Sequence, residues 1–289
     1  MSVDSLTTEH FAAGERLADF CLWDYAPPAP PVGKMRSANL LWRAIACAGD
    51  APHLVACCEA LRRALGPGQT VYGVKKYNDR LTFEFYFYDY ARLERQVSIE
   101  RVLKALAPVA CALPSVAGRP YFMFSVDLDE EIASGRRPLE AINIYVGNPG
   151  SQVSSGICYE HSAAGCKLAN FYFFFDAKRE MAEIAAKAAC SAHHDLRRFP
   201  HAEAFRPDLR DCQVVVVANK PRNDGLYFSR LPVDPFLAFL RREGFPEGLV
   251  AFAEAHRDRL DHMLYDVGLD YVVEEGALRV IKSAFYGLL

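Results

Sequence analysis

The stretch TVYGVKKYNDRLTFEFYFYD, residues 70–89, decides how this chain folds. Its second half alternates without a fault: Leu81, Phe83, Phe85 and Phe87 fall on one side, and Thr82, Glu84, Tyr86 and Tyr88 on the other. A period of two marks a strand, because successive side chains point to opposite faces. Asn78-Asp79 supplies turn chemistry between 70–77 and 81–89, so the stretch predicts a β-hairpin. Pairing across that turn puts Lys75 on the face of Glu84 and Tyr86.

Outward from this hairpin the same texture recurs. Strands are predicted near 120–127 and 139–146, flanking a polar loop, and near 154–161 and 167–175, turning at Ala163-Ala164-Gly165. Two further pairs fall near 212–219 and 226–231, and near 266–273 and 278–286. Short connections within each pair make the pairs antiparallel. Helical spacing fills the intervals: 38–65 with a break near Gly49 and Pro52, then 101–107 capped by Ser98 and closed by Pro108, then 177–192, 234–243 and 248–264. Residues 1–37 read as an N-terminal extension, with a short helical patch at 10–21 and a proline-rich connector at 27–31. Residues 38–289 read as a single α+β domain.

The two faces of these strands differ. Ile142, Ile144 and Val146 oppose Asn143 and Tyr145, while Phe171, Phe173 and Phe175 oppose Asn170 and Tyr172. Leu226 and Phe228 oppose Tyr227 and Ser229; Ile281 and Phe285 oppose Lys282 and Tyr286. The same alternation puts Tyr121 and Asp127 on the non-aliphatic face. Solvated faces are rich in Lys, Glu, Thr and Ser, whereas this one is dominated by tyrosine, whose apolar ring and polar tip suit an enclosed wall. About ten antiparallel strands with such a wall predict a closed barrel, its lumen lined by tyrosine and its outside surrounded by helices. The competing reading is an open sheet whose tyrosines pack under loops.

Composition narrows the function classes. With 289 residues, 51% hydrophobic, the chain can bury a large core without metal or disulfide staples. A net charge of −3 removes the global basic field that drives non-specific nucleic-acid binding. No run of about 18 apolar residues predicts membrane insertion, and Asp4 and Glu9 replace a signal segment. Nine cysteines without a Cys-x-x-Cys pair suggest reduced thiols in the cytoplasm, with neither a zinc site nor a redox pair. His193-His194 is placed at a helix end, and His256 and His262 are spaced wrongly for a metal pair on one helix face. The loop at 147–151 lacks the context of a phosphate-binding loop. Asp127, Asp129, Glu130 and Glu131 offer oxygen ligands of the kind Mg²⁺ takes beside a diphosphate, with a solvated loop as the competing reading.

Four stretches carry a resemblance: VYGVKKYNDRLTFEFYFYDY, FSVDLDEE leading to AINIYV, GICYEH with ANFYFFF, and ALRVIKSAFYG. In element order and strand texture the chain from residue 38 onward resembles the ABBA-type prenyltransferases, most of all the small bacterial branch that includes the cyanobactin peptide prenyltransferases. The resemblance implies a barrel whose lumen binds a prenyl diphosphate donor and passes its allylic group to an aromatic small molecule or peptide side chain. That chemistry needs cations for the diphosphate, aromatic rings around the carbocation and a base. Lys75, Lys220 and Lys282, with Tyr145 and Tyr227, are the candidates for the diphosphate. Tyr86, Tyr88, Asn143, Tyr172 and Tyr286 are the candidates for the cation-shielding wall or acceptor pocket. Glu84, the one carboxylate in the middle of a clear strand, is the candidate catalytic base, while alternation places Arg230 away from Tyr227 and Ser229. The chain departs from the related peptide enzymes in two places. It has Asn143-Ile144-Tyr145 where they carry an arginine and a histidine, and Val71-Tyr72-Gly73 where they carry a glutamate. The alternative function is a non-catalytic barrel that binds an apolar or aromatic small molecule.

Overall fold

The computed structural model describes residues 8–49, 51–91, 94–107, 109–113, 120–147 and 154–289. The hairpin forms as β1 (Thr70–Tyr77) and β2 (Arg80–Tyr88), turning at Asn78, whose φ of 49° is a conformation asparagine tolerates. β3 (Met123–Leu128), β4 (Ala141–Gly147), β5 (Ser155–Ser162) and β6 (Gly165–Asp176) follow, then β7 (Val214–Asn219), β8 (Asp224–Leu231), β9 (Tyr265–Glu274) and β10 (Ala277–Leu288). Each strand lies antiparallel to the next, and β10 returns to pair with β1, so the ten strands close into a barrel with no sheet edge. The open-sheet alternative is thereby excluded.

Helices α1 (Ala38–Ala48) and α2 (Pro52–Leu65) precede the hairpin, broken where Gly49 takes a φ of 127° and restarted by Pro52 at the first helical position. α3 (Ile99–Ala105) is capped by Ser98, whose hydroxyl accepts the Arg101 N–H at 3.1 Å. Pro108 and residues 148–151 lie outside the described residues. The polar loop after β3 contains a single turn, α4 (Glu130–Ala133), capped by Asp129. α5 (Met181–Ala189) is shorter than its sequence suggests, and α6 (His201–Ala204) follows in a region with no strong periodicity. α7 (Val233–Arg242), α8 (Glu247–Ala255) and α9 (Arg257–Leu260) divide the remaining helical stretch.

The core lies between barrel and helices. Phe85, Phe87, Phe124, Phe228 and Phe285 are fully buried on the outer barrel face among Leu40, Leu41, Phe236 and Phe239. Each such ring stabilises the fold by roughly 1.5–3 kcal/mol of transfer free energy. Phe236 of α7 stacks on Tyr265 of β9 at 4.0 Å. The helical cover is uneven among the described residues, since Leu168 and Phe171 on the outer face of β6 are exposed.

Three expectations fail. Residues 10–21 form no helix; residues 9–36 run as a strap across the barrel end, held by bridges between His10 and Met35 and between Ala18 and Asp24. Tyr121 does not face the lumen. It precedes β3 at a bend, lies edge-on to Phe124 in the outer core and accepts the Ile99 N–H. Arg230 breaks the alternation because a bulge between Phe228 and Leu231 gives it a φ of 64° and turns it toward the strap.

Candidate functional site

All eleven candidate residues lie along the inside of the barrel, on strands or, for Lys220, just past the end of β7. They sort into a charged half near the β1–β2 turn and an aromatic half near the strap.

In the charged half, Lys75 of β1 reaches Glu84 of β2 at 3.1 Å and also contacts Asp127 of β3. Glu84 is saturated. Besides Lys75 it accepts hydrogen bonds from Tyr86 OH at 2.6 Å, from the Ser125 hydroxyl and from Asn143 Nδ2 at 3.3 Å. Burial would raise its pKa, but Lys75 and the hydroxyl donors outweigh burial and hold it at about 2. Burial likewise opposes the charge on Lys75, and the carboxylates of Glu84 and Asp127 overcome it, keeping its pKa well above the ordinary value.

Across the lumen, two lysines share one carboxylate. Lys220 Nζ lies 2.7 Å from both oxygens of Asp270, and Lys282 Nζ lies 2.6 Å from Oδ2. Lys220 also donates to Tyr227 OH at 3.0 Å. Burial lowers the pKa of Lys282, a loss that Asp270 only partly offsets because the Lys220 and Lys75 ammonium groups repel it. Asp270 is driven well below the usual carboxylate range: burial works against ionisation, and the two lysines outweigh it.

The aromatic half is a belt of neighbouring rings. Tyr145 lies 6.0 Å from Tyr172, which lies 6.1 Å from Tyr227, then 6.3 Å to Tyr286 and 5.9 Å to Tyr86. Hydrogen bonds close the circuit, from Tyr86 through Glu84 and Ser125 to Tyr145 OH at 3.4 Å. Burial first, then the Glu84 carboxylate, pushes the Tyr86 hydroxyl well above its ordinary pKa, so it remains a donor. Glycines opposite the rings make room. Gly268 faces Tyr227 and Gly73 faces Tyr286 across the ladder, and a Cβ at these glycines would sit 2.5 Å and 2.9 Å from the ring carbons. Tyr88 lies at the strap end, where its hydroxyl donates to the Phe20 carbonyl. A cavity of about 70 Å³ remains, walled by these tyrosines with Phe20, Phe122, Phe174 and Met123.

Two lumen carboxylates correct the reading of Glu84 as the one mid-strand acid. Asp266 and Asp270 of β9 face inward, alternating with Val267, Leu269 and Tyr271 in the outer core. That alternation is visible in the run Asp266-x-Gly268-x-Asp270. Ser125, Phe122, Met123, Phe174 and the strap residues Phe20 and Cys21 are further lumen residues that sequence reasoning missed.

The acidic residues weighed for Mg²⁺ do not converge. Asp129 caps α4 and pairs with Arg137, Glu131 pairs with Arg136, Glu130 takes the His53 and Leu54 N–H groups of α2, and Asp127 faces Lys75. Among the described residues no cluster of histidine, cysteine, aspartate or glutamate is placed to hold a metal ion. His193 lies beyond the end of α5, where its Nε2 donates to the Lys220 carbonyl at 2.8 Å. Among the described residues, no helix is long and apolar enough to cross a membrane. No protein-family model and no curated protein matches the sequence.

Proposed function

We propose that the lumen is the site of an ABBA-type prenyltransferase, which takes an allylic diphosphate and transfers its prenyl group to an aromatic small molecule or peptide side chain. The observation that carries this reading is the pair Lys220 and Lys282 on the single carboxylate of Asp270, beside Tyr227 in an enclosed lumen. Two ammonium groups against one carboxylate leave a local excess of positive charge where a diphosphate would lie. As the allylic C–O bond breaks, the departing diphosphate takes the electron pair and the lysines neutralise its growing charge. The allylic cation faces Tyr172, Tyr227 and Tyr286, whose ring faces attract it and whose packing keeps water away. A carboxylate with a pKa of about 2 is a weak base, so in this reading Glu84 orients Tyr86 and the acceptor's proton passes to the released diphosphate. Thermal-shift measurements with dimethylallyl, geranyl and farnesyl diphosphate, followed by mass-shift assays on aromatic acceptors, test it. Stabilisation and a prenyl mass increment support the reading; no stabilisation by any of the three at millimolar concentration contradicts it.

The cavity favours a second reading. Its 70 Å³ is far below the roughly 300–1,000 Å³ of ordinary ligand pockets, which suits a barrel that holds one small aromatic or apolar molecule without chemistry. Stabilisation by such molecules without any mass-shifted product would select it.

A further inference from the structure

A guest larger than the present cavity needs part of the lumen wall to move, and the wall is not equally firm throughout. Every barrel strand is laddered to two neighbours. The strap turn at residues 19–24 is not. Phe20 and Cys21 of this turn cover the aromatic end of the cavity, with the Phe20 ring 5.8 Å from Tyr286. A second cavity of about 160 Å³ borders the strap on either side of the turn, at Leu17, Ala18 and Tyr25, and shares Tyr286 with the first.

Among the described residues, the turn's ties to the barrel run through side chains. The Phe20 N–H donates to the Asp266 carboxylate at 2.8 Å, the Phe20 carbonyl accepts Tyr88 OH and the Cys21 carbonyl accepts Tyr90 OH at 2.9 Å. Asp19 takes the Cys21 and Trp23 N–H groups and pairs with Arg230 at 2.9 Å. Strain collects here too. Of the four non-glycine residues with positive φ among those described, Asn78 and Glu275 occupy hairpin turns, while Leu22 at 58° and Arg230 at 64° lie on the two sides of this junction. Strained residues on both sides of a contact held without a ladder mark a segment that opens before the rest of the fold.

We propose that residues 19–24 are the lid of the lumen, latched by Asp19, Arg230 and Asp266, and that they open to admit an apolar or aromatic guest to the tyrosine belt. The inference needs a guest in the lumen but no prenyl transfer, so the two can fail separately.

The chain contains its own reporters. Cys21 lies in the lid and Cys158 on the lumen face of β5, whereas Cys58 and Cys212 are buried in the outer core. Iodoacetamide labelling of the intact protein, followed by peptide mass spectrometry, compares their rates without any ligand. The lid predicts that Cys21 and Cys158 react together, at least about tenfold faster than Cys58 and Cys212, because local opening is cheaper than global unfolding. In Arg230→Ala both should accelerate by about tenfold again with Cys58 and Cys212 unchanged. Labelling of Cys21 without Cys158, or of both only as fast as Cys58 and Cys212, overturns the lid. An unaltered Cys21 rate in a folded Arg230→Ala protein overturns the latch. Should that variant unfold, all four thiols react at once and the wild-type rates decide.

Discussion

Glu84 and Asp266 are both buried carboxylates on the lumen face, yet their surroundings push them in opposite directions. Burial works against ionisation of Glu84, but Lys75, Ser125 and Tyr86 hold it at about 2, whereas burial and the nearby Asp19 carboxylate raise Asp266 to about 7, its hydrogen bonds from Ser229, Arg230 and Phe20 notwithstanding. Glu84 contributes stability that is present above its unfolded value and lost as pH falls toward 2, on the order of 3 kcal/mol in all. Asp266 favours the folded state when protonated, and that stability is lost as pH rises from about 4 through 7. Urea unfolding across this range should therefore show a component that weakens with rising pH in wild type and vanishes in Asp266→Asn; a slope unchanged by the substitution contradicts the assignment. Glu84→Gln should cost about 3 kcal/mol, since it leaves buried Lys75 with Asp127 alone.

Strand pairing explains why the lumen can hold so many rings. Tyrosine on one strand lies over glycine on the next, so Gly268→Ala should force Tyr227 aside at a cost of about 2 kcal/mol. In a Tyr227→Ala background the same change should cost little, a coupling of at least about 1 kcal/mol measurable by urea unfolding. Simple additivity would show that the ring does not depend on the glycine. At this scale, alternation made the lumen residues of β2, β4, β6, β8 and β10 legible. The inward carboxylates of β9 obey the same rule, but their run interrupts the apolar texture with Gly268 and is easily taken for a weak strand. Three features have no local signal. The strap has no periodicity of its own and is ordered by partners such as Asp266, 246 residues away from Phe20. Tyr121 falls at a bend, and Arg230 at a bulge, where counting in twos stops working.

Over the whole molecule, closure of the barrel is what gives the charges their meaning. The side chains of Lys75, Lys220 and Lys282 are each 9% exposed, and Lys75 and Lys282 lie close enough to influence one another electrostatically. On an open sheet the same lysines would be solvated and screened. The two-sided texture made the barrel and the Lys75–Glu84 pairing legible in the sequence, but the partner of the other two lysines was not, because Asp270 meets Lys220 and Lys282 only once β7, β8, β9 and β10 are laddered. Removing one lysine of this pair should leave the fold intact, since Asp270 keeps the other. The most direct measurement is calorimetric titration of geranyl diphosphate into wild type and Lys282→Met, with urea unfolding of both as control. The account predicts binding by wild type and an affinity lower by about tenfold or more in the variant, the worth of one charge-assisted hydrogen bond, with the unfolding midpoint little changed. Equal affinity in the two proteins, or no binding by wild type, would contradict it.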